Sequence, residues 1–132
     1  MDQRLASLAS DLRKMSSSEA AEWLIDRYPV GSAGWGEAIT IMPHRSWKKA
    51  DQVRLARHYL SRLPYANAKP YEVFASFMKI SRLVDILREN TPNSAWDRKL
   101  LEYHVGRVLA QAIKKPEDRE IVENFISELK AR

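Results

Sequence analysis

The segment PYEVFASFMKISRLVDILREN, residues 70–90, decides the predicted fold because its apolar residues spread around most of a helical wheel. Successive residues of an α-helix are 100° apart, and the apolar positions of this segment cover well over half of the circle. They are Val73, Phe74, Phe77, Met78, Ile80, Leu83, Val84, Ile86 and Leu87. A helix that is apolar on nearly all sides must be surrounded by other helices. We therefore predict a hydrophobic central helix over residues 70–90 in an all-α bundle.

Helical spacing also recurs at the start of the chain. The apolar residues three and four positions apart there are Leu5, Leu8, Leu12 and Met15. Ser16 and Glu19 have the spacing of a capping box, which marks the start of a second helix. That helix must end at Tyr28, since the residue before a proline is disfavoured in the helical conformation. Residues 1–28 are therefore predicted to form a helical hairpin.

The rest of the chain is predicted to contain one short helix and four longer ones. The short helix is glycine-rich and covers residues 31–42, and the longer helices lie within residues 46–132. Two of the longer helices cover about 47–63 and 70–90, one opens at Ser94, and the last opens at Pro116. A chain of 132 residues can bury one ordinary hydrophobic core. We predict one compact domain, residues 1–132, of six to seven helices.

Three of the four glycines lie in PVGSAGWGEA, residues 29–38. Small side chains at this spacing allow another helix to approach closely, although a glycine inside a helix costs about 0.5–1 kcal/mol relative to alanine. The alternative is a Gly-x-x-Gly phosphate clamp at residues 31–34. That clamp needs a neighbouring sheet and a cation, and the two residues between the glycines, Ser32 and Ala33, are neutral. The stretch therefore favours close helix packing.

The excess positive charge of the chain is local. The chain has 22 basic and 17 acidic residues, a net charge of +5. The segment between His44 and Leu63 contains six basic residues and one acid, Asp51, and therefore also has a net charge of +5. The net charge of all other residues is zero. A basic helix of this kind is the usual electrostatic mark of an acidic partner or of nucleic acid.

The predicted helix over 47–63 divides into an apolar face and a basic face. The residues of the basic face that we select as candidate partner-binding residues are Trp47, Lys48, Arg54, Arg57, His58 and Arg62. A tryptophan among arginines is typical of a contact surface, because both residue types are enriched where proteins bind partners. The opposing interpretation is that Trp47 folds back against the glycine-rich helix and that the remaining charges form an ordinary solvated face.

We expect a protein partner at this face, so that the chain acts as a small regulator, an adaptor or a subunit of a larger assembly. The alternative is nucleic-acid binding through the same helix, in which indole and guanidinium groups stack on bases and arginines contact phosphates. A homo-oligomer is compatible with either function. The two partner classes differ in salt dependence, since phosphate contacts release counterions and protein contacts release few.

Catalytic and metal-binding patterns are not found in the sequence. His44, His58 and His104 lack the spacing of metal ligands, and His104 falls among the apolar residues of its helix together with Trp96. No serine lies in a Gly-x-Ser-x-Gly motif, and the carboxylate pairs lie on polar helix faces. We therefore predict that the protein is not an enzyme and binds neither a metal nor a cofactor.

The chain has no cysteine, which is compatible with a reducing compartment, and we expect a cytoplasmic location. The apolar segment at 70–90 is long enough to span a bilayer, but charged residues interrupt it. They are Glu72, Lys79, Arg82, Asp85 and Arg88. Charges at the centre of a transmembrane helix are expensive, so we expect no membrane partner.

Overall fold

A computed structural model describes residues 1–131, and every regular element in that range is a helix. The α-helices are α1 (Gln3–Arg13), α2 (Ser17–Arg27), α3 (Trp35–Ile41), α4 (Lys49–Tyr59), α5 (Lys69–Phe77), α6 (Ile80–Glu89), α7 (Ala95–Ala112) and α8 (Pro116–Ala131). One 3₁₀ turn, Met42–His44, follows α3 directly. The all-α class is confirmed, but the described range contains eight α-helices rather than six or seven.

The helices pack in two rows. In one row α1 contacts α3, α3 contacts α5, and α5 contacts α7; in the other, α2 contacts α4, α4 contacts α6, and α6 contacts α8. The rows meet through contacts of α5 with α4 and α6, and of α7 with α8. Each of the helices α1 to α6 therefore packs on the helix two positions further along the chain.

The prediction of one continuous central helix over 70–90 is wrong. Helix α5 ends at Phe77, and α6 begins at Ile80. Between them, Met78 (φ −102°, ψ 149°) and Lys79 (φ −62°, ψ 138°) have extended backbone. The break has a physical reason: α5 packs against α3 and α7 in one row, whereas α6 packs against α4 and α8 in the other. The two extended residues let the chain cross between the rows.

The N-terminal helices form as predicted but pack differently from a simple hairpin. The Ser16 side chain accepts the Glu19 N–H at 3.1 Å, and the Glu19 carboxylate accepts the Ser16 N–H at 3.3 Å, which completes the predicted capping box. Beyond this short connection, α1 packs mainly against α3, and α2 packs mainly against α4. The apolar stripes of the two helices therefore serve different rows.

The short glycine-rich helix predicted over residues 31–42 forms only in its second part, and residues 31–34 are a loop. Helix α3 begins only at Trp35, and Gly31 has φ +84°, a backbone conformation that glycine adopts without steric cost. The expected close approach of another helix is not found at Gly36, where an added Cβ would meet no described atom within 4 Å. Gly34 instead faces the ring of Tyr28.

Candidate interaction surface

The structure places Trp47 in the core, so its predicted exposure on a basic helix face is wrong. Its side chain is 6% exposed, and its indole N–H donates to the Met42 carbonyl at 3.0 Å. The Arg45 guanidinium lies over the ring, 4.7 Å from its centroid. Trp47 therefore folds back against the end of the glycine-rich element, as the opposing interpretation held, and is unavailable to a partner.

Helix α4 begins two residues later than predicted because the preceding segment is held in extended conformation. Lys48 (φ −67°, ψ 153°) is the N-cap, and its N–H donates to the Ser17 hydroxyl at 2.9 Å. The Arg45 side chain donates to the Leu12 carbonyl at 2.8 Å and to the Met15 carbonyl at 3.0 Å. The segment is thus bound to the end of α1 and the start of α2.

Helix α4 is also shorter at its C-terminal end, since it stops at Tyr59 rather than at residue 63. The Tyr59 hydroxyl donates to the carbonyl of Tyr28 at 2.8 Å and contacts the carbonyl of Leu24 at 3.2 Å. Tyr59 and Leu60 are buried, and Asp51 is only 7% exposed. The inner face of α4 therefore includes one acid, which lies one helical turn before the buried Leu55.

His58 is a structural residue rather than an exposed one. Its Nε2 accepts the Val30 N–H at 3.2 Å, and its ring lies edge-on to Tyr59 with 4.6 Å between the ring centroids. Burial lowers the pKa of the His58 imidazole below its ordinary value, against a smaller opposing effect of a hydrogen bond to the Tyr28 backbone. Only the neutral imidazole can accept the Val30 N–H, so the geometry and the pKa favour the same protonation state.

Four predicted cations remain exposed but do not form one cluster with Trp47. Lys48 caps α4, and Arg54 and Arg57 share its solvent face, where Arg57 contacts Glu89 at 3.3 Å. Arg62 lies beyond α4, with its guanidinium against Gly31. The predicted face is therefore a row of separated cations without an aromatic residue.

An aromatic surface lies instead on α7. Trp96 is 78% exposed and Tyr103 is 73% exposed, and the other large apolar side chain with high exposure in the described range is Met1. A shallow groove of 180 Å³ on this helix is lined by Trp96, Lys99, Leu100 and Tyr103. With Arg107, which is exposed one helical turn beyond Tyr103, these residues constitute what we call the α7 outer face.

The core does not need these aromatic rings. Helix α7 buries Leu101, Val105, Val108 and Leu109 on its opposite side. Trp96 and Val105 are nine residues apart, which at 100° per residue places them half a turn from each other. The Trp96 and Tyr103 side chains thus project away from the packed side of α7. Single exposed apolar residues are common, but two aromatic residues beside a leucine form a contiguous patch.

The α7 outer face is cationic as well as aromatic. It includes Lys99 and Arg107, and within the described range neither forms an ion pair. The acid Glu102 lies to one side, where its carboxylate contacts Lys130 of α8 at 3.5 Å. A molecule on this face would therefore meet aromatic rings and two free positive charges.

No protein-family model, no curated protein and no solved structure matches this chain.

A second groove, of 410 Å³, lies where the α5–α6 and α7–α8 connections meet. Its lining contains Phe77 and Met78, the bases Lys79 and Lys114, and the acid Asp118. Because cations, acids and apolar groups are mixed in its wall, the groove does not select for a ligand of one charge.

Within residues 1–131, no three side chains among His, Asp and Glu converge in a way that could hold a metal ion. None of the described helices combines the length and the apolar character that crossing a bilayer requires.

His104, which the sequence places among the apolar residues of its helix, is only half-buried, and its ring lies edge-on to that of Tyr103.

The sequence contained the signal for the α7 outer face. Trp96, Leu100 and Tyr103 follow one another at four- and three-residue spacing, on the wheel sector opposite Val105. The apolar residues of this helix include both Trp96 and Val105, and one helix side cannot contain residues half a turn apart. Separating the set into two sectors would have located the surface.

Proposed function

We propose that the protein is a non-catalytic protein-interaction module, a regulator, adaptor or subunit of a larger assembly, whose contact surface is the α7 outer face. The observation that supports this proposal is the exposure of Trp96 and Tyr103 on one side of a helix whose other side is fully packed. Tryptophan, tyrosine and arginine are the residues that most often dominate binding energy at protein interfaces.

The energetic argument is the amount of apolar surface that a partner would cover. Burying an aromatic side chain removes about 150–250 Å² from water, at about 25 cal/mol per Å². Since Trp96 and Tyr103 are already partly covered, each contributes about 3–5 kcal/mol before the costs of association. Two such residues are enough to anchor an interface of ordinary affinity.

The proposal is tested by photo-crosslinking from the α7 outer face. The photoreactive amino acid p-benzoylphenylalanine replaces Lys99 in the full chain, and a matched chain has it at Glu120, an exposed residue of α8. After irradiation in extracts of cells that express the chain, we expect protein adducts at Lys99 that are missing at Glu120. The adducts should also disappear when Trp96 is replaced by serine. Equal adducts at both positions would contradict the proposal.

Nucleic-acid binding through α4 is the second candidate function, supported by the exposed guanidinium groups of Arg54, Arg57 and Arg62. If each contacts a phosphate of duplex DNA, the slope of log K against log salt should be about −3. Fluorescence anisotropy of labelled duplex and single-stranded probes over a salt series measures this slope. The Arg54→Glu/Arg57→Glu variant should abolish binding, whereas Lys115→Glu/Arg119→Glu, which lowers the net charge equally at two exposed residues away from α4, should retain it.

A cytoplasmic location belongs to the same proposal. It is supported by the lack of cysteine in the sequence, which is compatible with a reducing compartment.

A further inference from the structure

The two rows of helices end differently. In a stacked helical array, a terminal helix has a neighbour on one side only, and its free side is normally polar. The free side of α1 has Gln3, Ser7 and Ser10, all exposed or half-buried polar residues. The row of α1, α3, α5 and α7 therefore begins with a polar surface.

The second row is polar at both ends. Helix α2 exposes Glu19, Glu22 and Asp26 on the side opposite its buried residues. Helix α8 exposes Arg119, Glu123 and Lys130, while Val122, Phe125 and Leu129 are buried. Three of the four terminal helices, α1, α2 and α8, thus have a polar side exposed to water.

Helix α7 is the exception. Its neighbour within the row is α5, and its neighbour in the other row is α8. The α8 side is identified by Gly106, near Ile126, and by the Glu102 contact with Lys130. The sector left free is that of Trp96 and Tyr103, so the aromatic rings lie where another helix would continue the row.

We propose that the α7 outer face binds an acidic amphipathic helix of a partner protein, which occupies the place of a ninth helix in the row. This inference rests on the proposed protein-interaction function and specifies the chemistry of the partner. An apolar stripe on that helix covers Trp96, Leu100 and Tyr103, a carboxylate beside the stripe meets Lys99, and a carboxylate beyond the end of the stripe meets Arg107.

The dimensions of the face fit a helix. Trp96 and Tyr103 are seven residues apart, which at 1.5 Å per residue is about 10.5 Å, or two helical turns. Ridges of side chains on one helix pack into the grooves of another over such lengths. A partner helix with apolar residues at positions i, i+3 or i+4, and i+7 presents a matching ridge.

A second copy of this chain does not match the face. Two α7 outer faces brought together would place the free cations Lys99 and Arg107 of each copy against one another, and like charges at an interface are costly. Stacking α1 of another copy on α7 would set Gln3, Ser7 and Ser10 against aromatic rings. Neither arrangement provides the apolar and acidic surface that the face requires.

The inference is tested by selecting ligands from a phage-displayed library of random 18-residue peptides. The library is depleted on the Trp96→Ser/Tyr103→Ser variant and then selected on the unaltered full chain. We expect enriched peptides with helical spacing of apolar residues and an excess of Asp and Glu. Synthetic copies should become helical on binding, as measured by circular dichroism, and should bind the depletion variant at least tenfold more weakly.

A charge-reversal variant of the α7 outer face tests whether the partner helix must be acidic. The Lys99→Glu/Arg107→Glu variant should bind the acidic peptides at least tenfold more weakly, and should prefer the same peptides with Lys in place of Glu. The Lys115→Glu/Arg119→Glu variant, which lowers the net charge by the same amount away from the α7 outer face, should bind as the unaltered chain does. Both variants change exposed residues only, and circular dichroism of each variant checks that its fold is intact.

Several outcomes overturn the inference. They are an unenriched library, enrichment of basic or proline-rich extended peptides, and preferential binding of single-stranded oligonucleotides that the Trp96→Ser/Tyr103→Ser variant loses. Sedimentation velocity that shows a dimer of the unaltered chain, lost in that variant, overturns it in favour of a second copy. Protein adducts from Lys99 together with extended peptide ligands would leave the interaction function standing and reject the helix, so the two failures are distinguishable.

Discussion

At the scale of single residues, Gly31 and Gly36 differ in backbone conformation and in the space available for a side chain. Gly31 has φ +84°, and a Cβ at this position would lie 2.5 Å from the Nη1 atom of Arg62. Gly36 lies inside α3, and a Cβ there would meet no described atom within 4 Å. The first glycine is required by its backbone conformation, whereas the second only weakens a short helix.

Alanine at the two positions should therefore change stability in opposite directions. We expect Gly31→Ala to lower the free energy of unfolding by about 1–2 kcal/mol, because a side chain is strained at positive φ. Gly36→Ala should raise the free energy of unfolding by about 0.5–1 kcal/mol, since alanine is the better helix former. Urea denaturation of both variants measures the difference. Changes of the same sign would contradict this account of the glycine stretch.

The position of a single side chain can be predicted from periodicity only when the ends of its helix are known. The helix predicted over 47–63 includes Trp47, but this residue precedes α4 and its indole N–H donates to the Met42 carbonyl. The wheel is meaningless for a residue outside the helix. Trp96 lies inside α7, where the wheel applies, and its exposure could have been predicted from its half-turn offset from Val105.

At the scale of helices, the break between α5 and α6 has backbone angles suited to proline. Lys79 has φ −62°, close to the fixed angle of the proline ring, and Met78 has the extended conformation that a residue before proline prefers. Apolar periodicity could not reveal this break, because the segment contains no glycine or proline between Tyr71 and Asn90 and its apolar residues continue across residues 78 and 79.

Lys79→Pro is therefore expected to preserve the fold, with a free energy of unfolding unchanged or raised by up to about 1 kcal/mol. The matched control is Asp85→Pro, an exposed position within α6, which should lower it by about 3 kcal/mol or more. Urea denaturation followed by circular dichroism compares the two. A loss of similar size at both positions would mean that residues 70–90 form one continuous helix.

At the scale of the whole molecule, two groups of titratable residues set a pH range of maximal stability. The pKa of Glu37 is lowered, first by its hydrogen bond with Arg4 and also by that with Tyr28, and the pKa of His58 is lowered by burial. A lowered pKa means that the unfolded chain binds protons more tightly, so stability falls as pH decreases. The tyrosines have the opposite shift: burial raises the pKa of Tyr65 to about 12 and that of Tyr71 in the same direction.

We expect the free energy of unfolding to be highest between about pH 7 and pH 10, above the ordinary pKa of histidine and below that of tyrosine. Below pH 6.5 the contribution of neutral His58 declines, and above pH 10 that of the protonated tyrosines declines. Denaturation at pH 5.5 and pH 7.5 should show a smaller pH effect in His58→Gln than in the unaltered chain. An equal effect in both chains would exclude His58 as the group responsible.

The arrangement of the rows is the part of the fold that sequence reasoning could not supply. Periodicity predicts which side of a helix is apolar, but it does not say which neighbour covers that side. Leu12 in α1 and Leu24 in α2 are both buried, yet their helices pack mainly on α3 and α4 respectively. The all-α class and the presence of most helices followed from local spacing, whereas the stacking order depends on contacts distant in sequence.

The exposure of Trp96 gives this protein a built-in optical reporter. The chain has four tryptophans; Trp47 is buried, Trp23 and Trp35 pack against the core, and Trp96 is 78% exposed. Indole fluorescence moves to shorter wavelengths when water leaves the ring, and a buried indole is shielded from dissolved iodide. Quenching by iodide therefore acts mainly on Trp96. A molecule that covers this side chain on α7 should shift its emission to shorter wavelengths and reduce its quenching by iodide, without a label.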